Sequence, residues 1–208
     1  MSQLIACRNS HGVLLASDGQ APVFELNGEV HQTEVNRMVK LSPYSVILAG
    51  GAADGVEMCD TLKRFISDEG TEDVQDIYGA ALPFLATEFE RVMRRKCEVI
   101  PVDPVHQVHF ILAGVTFQDP QQPFRLYLIW TKQKQPRLDG DEIGVAFSIP
   151  RLMGLEYRLE RSCHGNCPLA DMLPELKSSM EEQSKENPEI GPPFSYAMVT
   201  KDGVQEAD

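Results

Sequence analysis

Residues 13–21 read Val-Leu-Leu-Ala-Ser-Asp-Gly-Gln-Ala, and this stretch carries more information about the fold than any other part of the chain. Its first four residues are all apolar, without the polar alternation of a strand that faces water on one side. That pattern predicts a strand covered on both faces. Residues 4–7 form a second apolar run, and the turn at His11-Gly12 between the two runs predicts a β-hairpin.

The remaining chain alternates between strand-like and helix-like patterns. Strands are predicted over residues 37–41, 45–48, 108–115, 124–130, 142–148 and 194–200, and helices over 54–70, 72–96, 150–160 and 168–182. Each pair of helices falls between strand segments. Two stacked sheets with a helix pair on each outer face would cover the apolar strands. We therefore expect an α+β fold, a four-layer αββα sandwich, formed by residues 1–208 as a single domain.

Composition and charge exclude several classes of partner. The chain has 208 residues with 19 Lys and Arg against 31 Asp and Glu, which gives a formal net charge of −12. Nucleic acids and anionic membranes would repel such a chain, so neither is expected as a partner. No run approaches the roughly 20 apolar residues that span a bilayer, and the first residues do not resemble a signal peptide. Five scattered cysteines are typical of reduced thiols, which favours a cytoplasmic location.

Ser2 is the first candidate for chemistry. The initiator methionine is generally removed when the second residue is small, and removal would leave Ser2 with a hydroxyl and a free α-amine. An α-amine titrates near about 7.7–8.0, so that part of it is an unprotonated base at neutral pH. One terminal residue can then supply both the nucleophile and the general base.

Two stretches resemble a known family. Residues 13–21 resemble the "GVVLAADxRAT" strand of proteasome β-subunits, and residues 48–54, Leu-Ala-Gly-Gly-Ala-Ala-Asp, resemble the "AGGAAD" turn of the same proteins. Residues 37–41, 110–114 and 126–128 follow in the same order. The chain is thus identified as a divergent, bacterial-type member of the proteasome β-type subunit family, within the N-terminal-nucleophile hydrolase superfamily.

This resemblance implies the αββα fold, and it implies a function. Members of the family are threonine-type or serine-type endopeptidases that assemble into stacked rings around a proteolytic chamber. We therefore expect self-association into rings, unfolded polypeptide as the substrate, and an ATPase unfoldase as a possible cap. The resemblance implies no cofactor and no metal.

The resemblance also assigns catalytic roles to single residues. Ser2 falls where the family has its nucleophilic threonine, and Asp18 matches the aspartate that orients a neighbouring basic residue. Gly50 matches the residue whose backbone N–H stabilises the oxyanion, and Ser148 matches the serine that binds the terminal amine. Arg37 stands where the family has its catalytic lysine.

Three further positions would bind substrate. Leu48 and Ala52 would line the pocket for the side chain that precedes the cleaved bond. Pro22 stands where the family has a substrate-binding threonine. Because proline has no N–H, one hydrogen bond to the peptide substrate is lost there.

The departures at Arg37 and Pro22 support an alternative function. A buried lysine can lose its proton and act as a base, whereas a guanidinium stays protonated in proteins. Lys40 is a poor substitute, because an offset of three along a strand places it on the opposite face. The α-amine of Ser2 would have to act as the base instead. The alternative is a catalytically degenerate subunit that retains only its structural role in the assembly.

Other candidate sites have weaker support. Cys163 and Cys167 enclose His164, but this spacing lacks the second ligand pair of a zinc site, which favours a helix-linking loop. His106 and His109 differ by three along a predicted strand, so they are expected to face opposite sides. No metal site is predicted.

Overall fold

The structure is a computed structural model that describes residues 2–24, 30–97, 107–132 and 137–207. Its strands and helices alternate in the order that the sequence predicts. The strands are β1 (Leu4–Asn9), β2 (Gly12–Ser17), β3 (Gln20–Phe24), β4 (Val30–Glu34), β5 (Met38–Ser42), β6 (Ser45–Gly51), β7 (Val108–Val115), β8 (Phe124–Thr131), β9 (Leu138–Glu142), β10 (Ala146–Ile149), β11 (Ser195–Thr200) and β12 (Gly203–Glu206). The helices are α1 (Asp54–Glu69), α2 (Val74–Cys97), α3 (Met153–His164) and α4 (Leu169–Glu186).

Two antiparallel five-stranded sheets form the centre of the fold. One sheet has the strand order β10-β1-β2-β11-β12, and the other has the order β5-β6-β7-β8-β9. A separate hairpin joins β3 to β4. The β1–β2 pair is the hairpin that residues 4–17 predict, with Ile5 opposite Ala16.

Three apolar layers hold the sheets and helices together. Between the two sheets lies a cluster that includes Leu4, Leu15, Leu48 and Ile111. A second cluster packs α1 and α2 on the β5–β9 sheet, and a third packs α3 and α4 on the other sheet. The α+β four-layer αββα prediction is therefore confirmed, while the extent of the domain over residues 1–208 stays a prediction.

The continuous apolar run of β2 is explained by this layering. Val13 and Leu15 belong to the cluster between the sheets, whereas Leu14 and Ala16 belong to the cluster under α3 and α4. Successive side chains of a strand point to opposite faces, so a strand in the middle of the sandwich needs apolar residues at every position.

Two segments differ from the predicted strands. The strand predicted over residues 142–148 is wrong, because β9 ends at Glu142 and β10 begins at Ala146 in the other sheet. The chain therefore crosses between sheets inside the predicted strand. In addition, the sequence analysis missed β12 and the β3–β4 hairpin, which have short or polar strands. None of the helices in the described part of the chain is long and apolar enough to cross a bilayer.

Candidate active site

Ser2 lies just before β1 and has only 4 % of its surface exposed. Its Oγ accepts a hydrogen bond from the Gly51 N–H over 2.8 Å. A hydroxyl that accepts from a backbone N–H still has its own proton to donate, and the N–H stabilises negative charge that develops on the oxygen. The Ser2 hydroxyl thus has electrostatic support of the kind that a nucleophile needs.

The pairing of β5 with β6 explains why the Gly51 N–H reaches Ser2. Every second N–H group of β6 points toward β5, and the Ala49 N–H donates to the Arg37 carbonyl over 2.9 Å. The Gly51 N–H points to the same side as the Ala49 N–H. The last hydrogen bond between β6 and the β5 segment is the one that the Arg37 carbonyl accepts, so that segment offers no acceptor to Gly51. Ser2 occupies the position beyond the strand end and accepts the N–H.

The conformation of Gly51 requires a glycine. Its φ is +86°, and a Cβ at this position would lie 2.0 Å from the Gln107 carbonyl oxygen. Such a φ is rarely adopted by other residues, and no real Cβ approaches a backbone oxygen so closely. The Gly-Gly turn therefore depends on Gly51 both for its shape and for the N–H that contacts Ser2.

Gly50 makes room for the nucleophile but does not supply this N–H. A Cβ on Gly50 would lie 3.1 Å from the Ser2 Oγ and 3.0 Å from Cδ1 of Leu4. In the sheet, Gly50 stands opposite His109 of β7. The contact with the Ser2 Oγ comes from Gly51, one residue later than the predicted donor. The oxyanion role of Gly50 stays a prediction.

Asp18 and Arg37 form a buried ion pair next to the segment that carries Ser2. Nε of Arg37 lies 3.1 Å from Oδ1 of Asp18, and both side chains have no solvent exposure. The Gln3 N–H donates to the same Oδ1 over 2.8 Å, and the Gln20 N–H donates to Oδ2 over 3.3 Å. The Asp18 carboxylate therefore fixes the backbone directly after Ser2.

The other nitrogens of Arg37 bind backbone carbonyls. Nη1 donates to the Ala49 oxygen over 3.1 Å, with a longer contact of 3.5 Å to the Gly51 oxygen, and Nη2 donates to the Gln20 oxygen. Nε itself has no well-aligned acceptor, so its link to Asp18 is mainly a charge contact. Arg37 thus joins the end of β6 to Gln20, the first residue of β3.

Burial acts on the pKa of both members of this pair. Burial raises the pKa of the Asp18 carboxyl above its ordinary value of 3.8, while the charge of Arg37 and the two backbone N–H donors oppose the increase. Burial also lowers the pKa of Arg37, and the charge of Asp18 opposes that decrease. A guanidinium nevertheless remains protonated in proteins. Arg37 can therefore stabilise or position charge, but it cannot accept the Ser2 proton.

Ser148 is buried in β10, and the hydrogen-bond partners of its hydroxyl lie in α3 and in the segment just before it. Its Oγ donates to Oε1 of Glu156 over 2.6 Å and accepts the Leu152 N–H over 2.7 Å. Glu156 also binds Nε of Arg151 over 2.8 Å. In the sheet, Ser148 stands opposite Ile5, whose side chain faces the α3–α4 layer. The amine-binding role of Ser148 stays a prediction, since its hydroxyl has two other partners.

The three predicted substrate-binding residues lie in different surroundings. Leu48 is fully buried between the sheets, and Ala52 packs in the cluster beneath α1 and α2. Pro22 lies in β3 and stands opposite Gln32 of β4. The structure therefore gives Leu48 and Ala52 packing roles, and the binding roles of all three residues stay predictions.

The cysteine and histidine candidates that the structure describes lie in α3, in the loop after it and in β7. Among the described residues, no group of three or more His, Cys, Asp or Glu side chains is arranged to hold a metal ion. Cys163 lies in the last turn of α3 and contacts the cluster beneath it, so only Cys167 lies in the loop that the sequence predicted. His106 lies outside the described residues, and His109 belongs to β7.

Two backbone groups of the site escaped the sequence analysis. The Gly51 N–H donates to Ser2, and the Gln3 N–H donates to Asp18. Residue types do not indicate which backbone N–H groups make such hydrogen bonds. The Gly-Gly pair at the end of a predicted strand was the available signal for the first. The alternation of N–H directions decides which glycine donates, and this alternation depends on the strand register.

Comparison with known proteins adds to this description. No family model matches the chain, and no curated protein matches it. One similar solved structure is Anbu (ancestral beta-subunit) from Yersinia bercovieri, with a TM-score of 0.69 and 17 % identity, covering 98 % of this chain and 86 % of that chain. Another is the helical assembly of the Anbu complex from Pseudomonas aeruginosa, with a TM-score of 0.73 and 16 % identity, covering 98 % of this chain and 84 % of that chain.

These similarities correct the family that the sequence suggested. The similar structures are Anbu proteins, a distinct proteasome-like family in the N-terminal-nucleophile hydrolase superfamily, so the assignment to the proteasome β-subunits is wrong. The motifs used for that assignment are a buried strand followed by Asp-Gly and a Gly-Gly turn, and both are parts of the scaffold. At this low identity the comparison shows the fold, which is proteasome-like.

Proposed function

We propose that this chain is a subunit of a proteasome-like, self-associating hydrolase that cleaves peptide bonds with Ser2 as the nucleophile. The contact between the Gly51 N–H and the Ser2 Oγ, 2.8 Å long, is the observation that carries this proposal. This contact places a hydrogen-bond donor where negative charge would develop on the Ser2 Oγ. Ser2 would also supply an α-amine once Met1 is removed. Self-association is supported by the similar Anbu complex from Pseudomonas aeruginosa, which is a helical assembly.

The reaction begins once Met1 has been removed. The free α-amine of Ser2 takes the proton of the hydroxyl as Oγ attacks the scissile carbonyl. The tetrahedral intermediate then collapses, the proton passes from the ammonium to the leaving amine, and an ester to Ser2 remains. Water attacks this ester with the same amine as the base, which releases the acid product and restores Ser2.

The Gly51 N–H and the ion pair have separate tasks in this reaction. An N–H within 2.8 Å of Oγ stabilises the oxygen while it loses its proton. Asp18 holds the Gln3 N–H over 2.8 Å and thereby fixes the backbone that follows the nucleophile. Arg37 keeps Asp18 ionised and ties it to the end of β6.

The second candidate function is a catalytically inactive subunit of the same kind of assembly. It is favoured by the contacts of Arg37, since this residue replaces a titratable base and its nitrogens are directed to Asp18 and to backbone oxygens. Pro22 adds to this argument, because it has no N–H for a strand-like bond to a peptide. In this case Ser2 would keep its hydrogen bond and perform no turnover.

The intact mass of the purified protein, together with a labelling experiment, distinguishes the two functions. Loss of Met1, an adduct at Ser2 with an electrophile that reacts with hydroxyl and amine together, and hydrolysis of unfolded peptides would support the hydrolase. Ser2→Ala should abolish both labelling and hydrolysis, whereas Ser67→Ala, an exposed serine of α1, should change neither. Retention of Met1, or no adduct in a processed protein, would overturn the hydrolase and leave the structural role.

Partners of the assembly can be tested with the same preparation. A chamber that admits only extended chains would hydrolyse an unfolded polypeptide and spare its folded form. Hydrolysis of the folded form only after addition of an ATPase unfoldase and ATP would identify such a cap as a partner. Sedimentation of the purified chain as a monomer would contradict the self-association that the proposal includes.

A further inference from the structure

A cavity of about 430 Å³ opens at one edge of the sandwich. At this edge β5 ends one sheet and β12 ends the other, so neither strand pairs on its outer side with another strand of the described residues. The residues that line the cavity include Met38, Lys40 and Val46 from the β5–β6 hairpin, Val204 from β12, and Lys177 from α4. A volume of this size falls within the usual range for small-ligand sites, about 300–1,000 Å³.

This cavity is separate from the candidate active site. Successive side chains of a strand alternate between its faces. Met38 packs toward the space between the sheets, whereas Val39 packs toward α1. Arg37 comes two residues before Val39 and therefore points to the same side as Val39. Neither Ser2 nor Arg37 lines the cavity. A ligand bound there would lie on the reverse face of the strand that follows Arg37.

Two lysines without carboxylate partners give the cavity its charge. Neither Lys40 nor Lys177 makes an ion pair with any carboxylate of the described chain, although acidic residues outnumber basic ones by 31 to 19. The Lys177 ammonium lies 5.4 Å from the centre of the Tyr196 ring, which restricts its position at the cavity wall. The charged residues that line the cavity are these two lysines and Glu206, and the charge of Glu181, outside the lining, acts on Tyr196.

Part of the remaining wall is apolar, and Asn36, Ser195 and Glu206 add polar groups to the rest of it. Met38, Val46, Ala197 and Val204 line the part of the cavity between the sheets. Val46 and Ala197 are buried, while Met38 and Val204 are half-buried, so the apolar surface continues from the core to the opening. A ligand that fits these walls combines a negatively charged group with a small apolar group.

We propose that this cavity binds a small carboxylate that carries an apolar side group. The carboxylate would contact the Lys40 and Lys177 ammonium groups, and the apolar group would lie against Met38 and Val204. Both lysines and the apolar wall are needed for this recognition, because a phosphate would leave the apolar wall in contact with water and a hydrocarbon would leave the lysines unpaired. The proposal does not depend on whether Ser2 performs catalysis.

Methyl NMR of the full chain tests the proposal. The chain has eight methionines, and the Met38 methyl signal is identified by its loss in Met38→Leu. N-acetyl-leucine should shift this signal and leave that of Met58, a buried residue of α1, unchanged. The neutral analogue N-acetyl-leucinamide should bind about tenfold more weakly, because a hydrogen bond to a charged group contributes more than one to a neutral group.

Substitution of the two lysines is a second test of the proposal. Lys40→Gln with Lys177→Gln should weaken N-acetyl-leucine binding by at least about tenfold. Lys201→Gln, an exposed lysine in the β11–β12 turn, should not change it. Equal binding of the acid and the amide would overturn the proposal without any variant. A Met38 signal that stays unchanged up to about 10 mM N-acetyl-leucine would also overturn the proposal, because even weak ligands bind in this concentration range.

Discussion

Arg37 and Asp18 lie 3.1 Å apart, Nε to Oδ1, and neither side chain is exposed to solvent. A buried ion pair of this kind adds little net stability compared with apolar residues, because both charges lose their hydration. The ion pair instead positions the backbone around it. Asp18 accepts the Gln3 N–H, and Arg37 donates to the carbonyls of Ala49 and Gln20. The pair thus connects Gln3, the residue after Ser2, to the strand that presents Gly51.

Removal of one member of this pair should destabilise the chain strongly. Asp18→Asn leaves the Arg37 charge buried without a partner, and we expect a loss of about 3–5 kcal/mol in the free energy of unfolding. Arg37→Met leaves Asp18 in the same situation. The double variant should lose less than the sum of the single losses, since it buries no lone charge. Denaturant unfolding measures all three variants, and additive losses would contradict a direct interaction.

Arg37→Lys should increase the rate of peptide hydrolysis by at least about tenfold, because a buried lysine can lose its proton and act as a general base. The shorter side chain cannot reproduce all the contacts of Arg37, so a moderate loss of stability should accompany the gain. Steady-state kinetics with an unfolded peptide measures the effect. Ser2→Ala in the same background should remove the added activity. An unchanged rate in Arg37→Lys would refute the view that the missing base limits the reaction.

Gly51→Ala should prevent or severely weaken folding around the Gly-Gly turn. A Cβ at Gly51 would lie 2.0 Å from a backbone oxygen at a φ of +86°. Gly70 is the matched control, since its φ is +66° but a Cβ there has no neighbour within 4 Å. Gly70→Ala should therefore cost only the backbone strain, about 1 kcal/mol, and Gly51→Ala clearly more. Equal losses in thermal unfolding would show that the Gln107 oxygen yields to the added methyl group.

The sequence predicts the layers of this fold well because the spacing of apolar residues shows which faces of each strand and helix are buried. Residues 13–16 are apolar at every position, as a strand between two packed layers requires. The prediction fails over residues 142–148, where β9 (Leu138–Glu142) is mostly polar and is defined by its pairing with β8. An edge strand is half exposed, so pairing rather than burial determines its position.

The candidate site was predicted in part for a related reason. Asp18 and Arg37 carry side chains whose chemistry is visible in the sequence, and the structure places them in contact. The Gly51 N–H depends on which groups of β6 point beyond the end of β5, and residue types do not specify that register. The role of Ser148 stays a prediction. Its hydroxyl is chemically suitable for the active site, but Glu156 and the start of α3 determine its contacts.

The buried Glu156 carboxylate should make stability depend on pH at the acidic side. Burial raises its pKa, but hydrogen bonds from Arg151 and Ser148 outweigh burial, so that the pKa lies below the ordinary value of 4.5. A group whose pKa is lowered by folding stabilises the native state above its unfolded pKa. This stabilisation is lost as the pH falls through the folded pKa, below 4.5 in this case.

Glu156→Gln should therefore lower the free energy of unfolding at neutral pH by about 1–3 kcal/mol, the cost of weakening a charge-assisted hydrogen-bond network. It should also reduce the loss of stability between about pH 5 and about pH 3, since no carboxylate remains to be protonated at this position. Glu160→Gln on the same helix is the control, because its side chain is 53 % exposed and its contact with His164 is 3.7 Å long. Unfolding in urea across this pH range measures both effects. If Glu156→Gln kept the acid dependence of the parent chain, the network of Ser148, Arg151 and Glu156 would not hold the carboxylate ionised.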